Sequence, residues 1–520
     1  MAQTSEGESA RVARMGTASI PRLITEFAIP AIAGMLVNGA YNLIDSIFLG
    51  QAMGEIGLSA TTVAMPSMIV FMAFSMLVGA GGNALAALKL GEGRRDVAEQ
   101  SLGNTVTLSI ILAAIVAILA SDGTVLNAML TISSATDEVR PYAASFLRII
   151  CCGFILQCIG MGVNNFIRTA GAPNRALSTM VIGAVVCIVF NYLFVMRMGM
   201  GVVGSALATV VGQGVSCACV LWYFIFVKDV PMHLRLSCMR PRARLCGQIV
   251  SLGAASFFVQ AGSAILNFVT NMQLVKYGVV SPIGAVNALA SIGLVQRVAM
   301  FTILPLIGMS IAIQPVLGFN YGAKLYRRVR TTLLDGILAA TCIAVFMWLI
   351  VHLWPRQIVN FFGITDAGLV DFTVFALQVQ LLMLPIVGFQ IVGSNYFQAT
   401  GQPLKSSILS LSRQILFLLP LLFIMPEWLP TAFPQYTGLD ALYIATPVAD
   451  GLSILLTFLF VLRELARLNR LIRESKSAGG KKGAGPGAGF GGKQPAARSA
   501  DAPTAGGEEA SDQADAPQAR

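Results

Sequence analysis

Charge is scarce in this sequence. Only 12% of its 520 residues are Asp, Glu, Lys or Arg, against about 25% in an ordinary soluble domain, which excludes a chain whose bulk faces water. Histidine is scarcer still. His233 and His352 stand alone in separate segments, and two isolated imidazoles build neither a metal centre nor an acid–base cluster, so a membrane-embedded enzyme is the most remote alternative. The nine cysteines lack metal-ligand spacing and read as small apolar residues, with no disulfides expected. Residues 1–20 lack the apolar core of a signal peptide, so no cleavage is expected. No run alternates polar and apolar residues as a barrel strand would.

What abounds is hydrocarbon: 56% of residues are hydrophobic and the mean hydropathy is +0.74. Apolar maxima between charged or turn-rich breaks give twelve spans, at residues 24–49, 59–86, 102–121, 140–165, 176–196, 202–227, 247–275, 283–319, 331–353, 369–397, 407–426 and 440–462. Most reach the ~20 residues an α-helix needs to cross ~30 Å of hydrocarbon. If the N-terminus is inside, the inner segments hold 23 Lys and Arg, among them Arg168, Arg175, Lys405 and Arg413, and the outer loops hold 4. The positive-inside rule then places both termini in the cytoplasm, with the chain in the plasma or inner membrane. The same rule accounts for the net charge of +10 without a nucleic-acid partner. Residues 475–520 turn to Gly, Ala, Ser, Pro and balanced charge, a composition that reads as disordered. Within them Gly487, Gly492 and Lys493 fit the frame of a phosphate-binding loop, but Gln494 follows and no strand precedes, so no nucleotide is expected.

One phrase occurs twice. NFIRTAGAP at 165–173 returns as NYFQATGQP at 395–403, 230 positions later and close to half the chain without its tail. LGEGRRDVAE and YGAKLYRRVR agree in the same way. The expected fold is an all-α integral membrane protein of twelve transmembrane helices in two six-helix lobes, an internal duplication with a central cleft and a disordered C-terminal tail. The organisation reads as an N-terminal segment 1–20, a first lobe 21–228, a linker 229–245, a second lobe 246–466 and a tail 467–520. Six spans per repeat is an even number, so both copies enter the membrane alike and the axis relating them lies along its normal. Such lobes leave a mid-membrane cleft suited to a carrier. At the repeated phrase, Gly171 and Gly401 are expected in left-handed turns, with Pro173 and Pro403 opening the next helices. Arg168, Arg175 and Lys405 are expected at the surface, and Asn165 and Asn395 as caps or cross-links.

Together, the two Asn-aromatic…Gly-x-Pro copies, YNLIDSIFLG, GMGVVGSALATVVGQ, IQPVLGFNYGAKLYRRVR and NYFQATGQPLKSSILSLSRQ resemble the multidrug and toxic compound extrusion (MATE) transporters, nearest the MepA-like bacterial branch. The resemblance spans roughly residues 20–465. It implies secondary active multidrug efflux: antiport of amphipathic, often cationic small molecules against H⁺ or Na⁺ by alternating access, by a monomer with no other cofactor. The leading alternative is a lipid-linked precursor flippase of the same wider superfamily, which needs a strongly basic cavity.

Acids inside spans are costly and so carry functional weight. Asp45, with Asn42 three residues earlier on the same helix face, is the principal coupling-ion candidate for H⁺ or Na⁺ and matches the acid of the family's first helix. The fifth helix departs from the family's pattern of Asn, three residues, then Asp: here Cys187 is followed by Asn191, which cannot take up a proton. Thr209 matches a hydroxyl of that site. Asp450 is the second acid, either paired with Arg297 or itself a coupling residue, and Arg148 is a possible partner for Asp45. Gln260, Asn267 and Asn271 fall on one helical face and read as a neutral cavity wall. Tyr41, Phe74, Phe154, Met161, Phe258, Met272, Phe301 and Met383, with Gln157 and Gln390, complete the expected cavity, because aromatic and methionine surfaces accept varied apolar cations.

Overall fold

The structure, a computed structural model, describes residues 13–121, 126–127, 130, 138–228, 230–279, 285–361 and 367–479. Met1–Ile472 form one compact unit and Arg473–Arg520 a second. The glycine-rich stretch at 487–493 and the rest of the expected tail from 480 onward lie outside the described residues.

Among the described residues, eleven helices are long and apolar enough to cross a membrane: α1 (Ile20–Met53), α2 (Ser59–Gly91), α3 (Arg95–Ala120), α4 (Arg140–Thr169), α5 (Pro173–Arg197), α6 (Gly201–Phe226), α7 (Ala243–Gly278), α8 (Ser291–Gly322), α9 (Tyr326–Leu353), α11 (Pro403–Ala432) and α12 (Gly438–Ser475). The remaining span, α10, is a pair, Gly368–Gln380 and Leu384–Ala399, bent by 41°. All twelve expected spans are present. Ile20–Gly91 is helical throughout, and a straight rod of that length would run roughly 110 Å. Yet Gly16 and Gly91 both pack against Phe319, so the chain doubles back between α1 and α2.

Four helix ends on one side of the molecule share a turn, and it explains the repeated phrase. Gly171 (φ 80°) and Gly401 (φ 76°) adopt the left-handed conformation, and the amides of Ala172 and Gln402 reach back five residues to the carbonyls of Ile167 and Phe397, the closure typical of a glycine-terminated helix. The ends of α2 and α8 repeat it at Gly93 (φ 76°) and Lys324 (φ 58°). Arg94 N–H donates to the Lys89 carbonyl and Leu325 N–H to that of Asn320, both at 2.9 Å. Arg175 lies over the Tyr223 ring, 5.4 Å from its centroid. Arg168 departs from its expected place at the surface: it is 1% exposed, donating to Asn165 Oδ1 at 2.6 Å and to Met180 Sδ at 3.4 Å. Its long apolar stem lets the residue sink into the packed helix ends while the head finds acceptors there. Asn395 does cross-link helices, donating to the carbonyl and hydroxyl oxygens of Ser310 on α8 at 2.7 and 2.6 Å.

Packing differs between the two sides. On the side of these four turns, hereafter the basic side, one apolar core joins both halves: Phe27, Ala86, Phe166 and Phe224 of the first with Ile313, Phe319, Tyr396 and Val461 of the second. Toward the opposite side the buried residues separate into two cores. One holds Leu49, Ala60, Phe71, Phe154 and Val202 of the first half. The other holds Val269, Leu306, Leu377, Leu422 and Tyr443 of the second. The two lobes are therefore joined on the basic side and have separate cores beyond mid-membrane. Backbone contact makes the joint tight. A Cβ on Gly91 would lie 2.0 Å from the Phe319 carbonyl oxygen, and one on Gly322 2.1 Å from that of Leu88, so only glycine fits at this crossing.

Candidate functional site

Asp45 lies eight residues before the end of α1, about 12 Å along the helix, on the side where the cores are separate. Two other helices of the first lobe bring it partners. Asn191 closes the α-helical part of α5, and Tyr192–Arg197 continue it as a π-helix, a local widening that recurs at functional sites. The Asn191 amide donates to Asp45 Oδ1. Ser205, in the second turn of α6, donates to the same oxygen at 2.8 Å. Asn191 is 1% exposed, and its own Oδ1 has no hydrogen-bond partner among the described residues. Thr209, one turn beyond Ser205, faces Cys187 of α5. The expected trio of Asp45, Asn191 and Thr209 thus gathers in one place, with Ser205 added. Among the described residues no Lys or Arg forms an ion pair with Asp45. The side chain of Asn42 lies outside the described residues. A carboxylate, an amide oxygen and hydroxyls form a set of hard oxygen donors, suited to a proton or a small alkali cation.

Asp450 has a different environment and a different partner from the one expected. It is 4% exposed, and Arg413 of α11 donates to it from Nε at 2.6 Å and from Nη2 at 3.4 Å. Arg297 is exposed instead, and so is Arg148; neither forms an ion pair among the described residues. Arg413 counted as a basic-side residue in the sequence, but it stands ten residues into α11, about 15 Å deep, within a second π-helical stretch at Ser412–Leu418. Polar groups continue around the pair. Gln390 bonds Ser453, Ser412 lies 3.4 Å from Ser453, and Gln414 donates to Ser263 at 2.9 Å. Desolvation makes an isolated buried charge expensive, and pairing offsets that cost.

The expected cavity residues divide. Asn267, Asn271, Met272 and Phe301 are exposed on α7 and α8, while Tyr41, Gln157, Met161, Phe258, Gln260 and Met383 are half-buried. Phe74 packs on Phe257 of the other lobe, ring centroids 5.1 Å apart. Two expectations fail. Phe154 is fully buried against Phe71 at 5.2 Å, and Gln390 is 4% exposed between α10 and α12, so both belong to lobe interiors. A buried acid also escaped the sequence reading: Glu464, 2% exposed, binds Lys405 at 3.2 Å and Arg467 at 3.0 Å and accepts from Gln402 at 3.0 Å. It ties α12 to the start of α11. Its signal in the sequence was only an acid among the basic residues at the end of the last span.

Comparison with known proteins decides what kind of membrane protein this is. The MatE family model matches twice, over residues 30–193 and 262–424, one match in each lobe. The chain belongs to the MatE family. Among curated relatives of this MatE protein, the multidrug export protein MepA of Staphylococcus saprophyticus is 23% identical over 78% of the chain and 87% of its own length. MepA of Staphylococcus aureus strain MRSA252 is 22% identical over the same shares. Among solved structures, the MATE multidrug transporter DinF-BH, in complex with a rhodamine dye, is 33% identical, with a TM-score of 0.77 over 86% of this chain and 96% of that one. An outward-facing multidrug resistance MATE family transporter superposes with a TM-score of 0.80 at 23% identity, over 88% and 98%. This MatE chain is a multi-pass membrane transporter, not an enzyme.

Proposed function

We propose that this protein exports amphipathic, often cationic small molecules by antiport against H⁺ or Na⁺, with both termini in the cytoplasm. The observation that carries the reading is Asp45, a carboxylate within a membrane-spanning helix, held by the neutral donors Asn191 and Ser205 and free of an ion pair among the described residues. An acid so placed is available to an exchangeable cation, whereas Asp450 is already neutralised by Arg413. The MepA relatives, named multidrug export proteins, and the DinF-BH complex with a rhodamine dye support the choice of solute.

With the basic side cytoplasmic, lobes joined there and separate opposite correspond to a cleft that opens outward. Entry of H⁺ or Na⁺ at Asp45 from outside favours the state that returns inward, and the solute favours the opposite change. A ligand shifts such an equilibrium only by its difference in affinity for the two states. The test is efflux of a cationic rhodamine dye in everted vesicles under a pH or a Na⁺ gradient imposed separately. Efflux that follows one of the two gradients is expected; efflux indifferent to both contradicts antiport.

A further inference from the structure

Asn83 and Gln314 occupy corresponding places in the two repeats. Each lies eight residues before the glycine that ends its helix, Gly91 in α2 and Gly322 in α8, and the two positions are 231 residues apart. The helix crossing around them is reciprocal at the same offset. A Cβ on Gly91 would meet Phe319 and Ala323, and one on Gly322 would meet their counterparts Leu88 and Glu92. An axis relating the lobes exchanges Asn83 with Gln314, so a bond between the two straddles that axis. Such a bond is present: the Asn83 amide donates to Gln314 Oε1 at 3.2 Å, with the residues 1% and 3% exposed.

The bond has a built-in direction. Thr169, within the first copy of the repeated phrase, donates its hydroxyl to Asn83 Oδ1 at 2.6 Å, which fixes the amide and turns its N–H₂ toward the other lobe. The second copy has Ala399 at the matching place, with no hydroxyl to offer. The first lobe therefore presents the donor and the second receives it. Separation of the lobes on the basic side must break this bond before water has room to replace it, because buried amides left without partners are costly.

We infer that Asn83, Gln314 and Thr169 form the basic-side latch of the transport cycle: the Asn83–Gln314 bond is intact while the cleft faces away from the basic side and broken when it faces that side. The inference rests on the alternating-access reading above. These are positioning residues, and none is proposed to touch the solute.

The first test places Asn83→Cys and Gln314→Cys together in the full chain, with the nine native cysteines replaced, in vesicles loaded with the rhodamine dye. A short bifunctional thiol reagent joining the two positions should abolish gradient-driven dye transport, leave dye binding in place, and release transport again on reduction. Cross-linked protein that transports like the reduced form overturns the latch while leaving antiport standing. Failure of the unmodified protein to move the dye under either gradient overturns antiport, and the latch with it. The second test keeps the hydrogen-bonded pair and changes its anchor. Ala87, fully buried opposite Gly318 of the other lobe, is replaced in the cysteine-free background as Ala87→Cys. Adding the isosteric Thr169→Val should speed labelling by a membrane-impermeant reagent from the basic side about fivefold, the shift expected from loss of one buried hydrogen bond. An unchanged labelling rate overturns the assignment of Thr169.

Discussion

Asp45 and Asp450 are both acids within apolar helices, and their neighbours divide them. Asp450 is locked to Arg413, and this pair should behave as a structural unit. Asp450→Leu or Arg413→Met alone should lower unfolding stability in detergent by about 3–5 kcal/mol, because the surviving charge is stranded, while the double substitution should recover most of the loss. Equal loss in the single and double variants would show that the pair is not the source. The acids and Asn191 were legible because polar groups inside apolar runs stand out. Ser205 was not, since serine is unremarkable in a membrane helix. Arg413 was misplaced because a count of basic residues carries no depth, and a π-helical stretch such as Ser412–Leu418 leaves no signature in hydrophobic periodicity.

At the level of helices and turns, the repeat predicts matched behaviour at matched sites. Gly91→Ala and Gly322→Ala each push a Cβ into the facing carbonyl. Each should cost about 1–3 kcal/mol of stability, the usual range for overpacking, and the two losses should be similar. A large loss at one site and none at the other would contradict a reciprocal crossing. Lys324 holds a left-handed conformation (φ 58°) where the first repeat has Gly93 (φ 76°). A side chain there costs roughly 1–2 kcal/mol, partly balanced by the greater unfolded-state freedom of glycine. Lys324→Gly should therefore raise the melting temperature in detergent, and a fall would argue against strain at this turn. The turns themselves could be read from Gly-x-Pro at 171–173 and 401–403. The one at Lys324 could not, because its sequence hides the conformation.

At the scale of the whole molecule, the twelve spans and the duplication followed directly from apolar run length and the repeated phrase. Where the lobes join did not. Contact between α2 and α8 depends on glycines spaced for a particular crossing, and glycine is frequent throughout membrane helices. Phe154 and Gln390 were misassigned for the same reason: inside a lobe, a side chain facing the core and one facing a cleft look alike in sequence. Orientation is open to a simple check. A fluorescent protein fused after the last residue should fold and fluoresce in the cytoplasm, and a reporter active only outside should be silent; the reverse would invert the assignment of sides. The most direct measurement of the central claim compares wild type with Asp45→Asn in reconstituted vesicles under imposed pH and Na⁺ gradients. Wild type should drive the rhodamine dye against its own gradient and stop when an ionophore collapses the ion gradient, and Asp45→Asn should fold and bind the dye but never concentrate it. Uphill transport by Asp45→Asn at the wild-type rate would contradict the account.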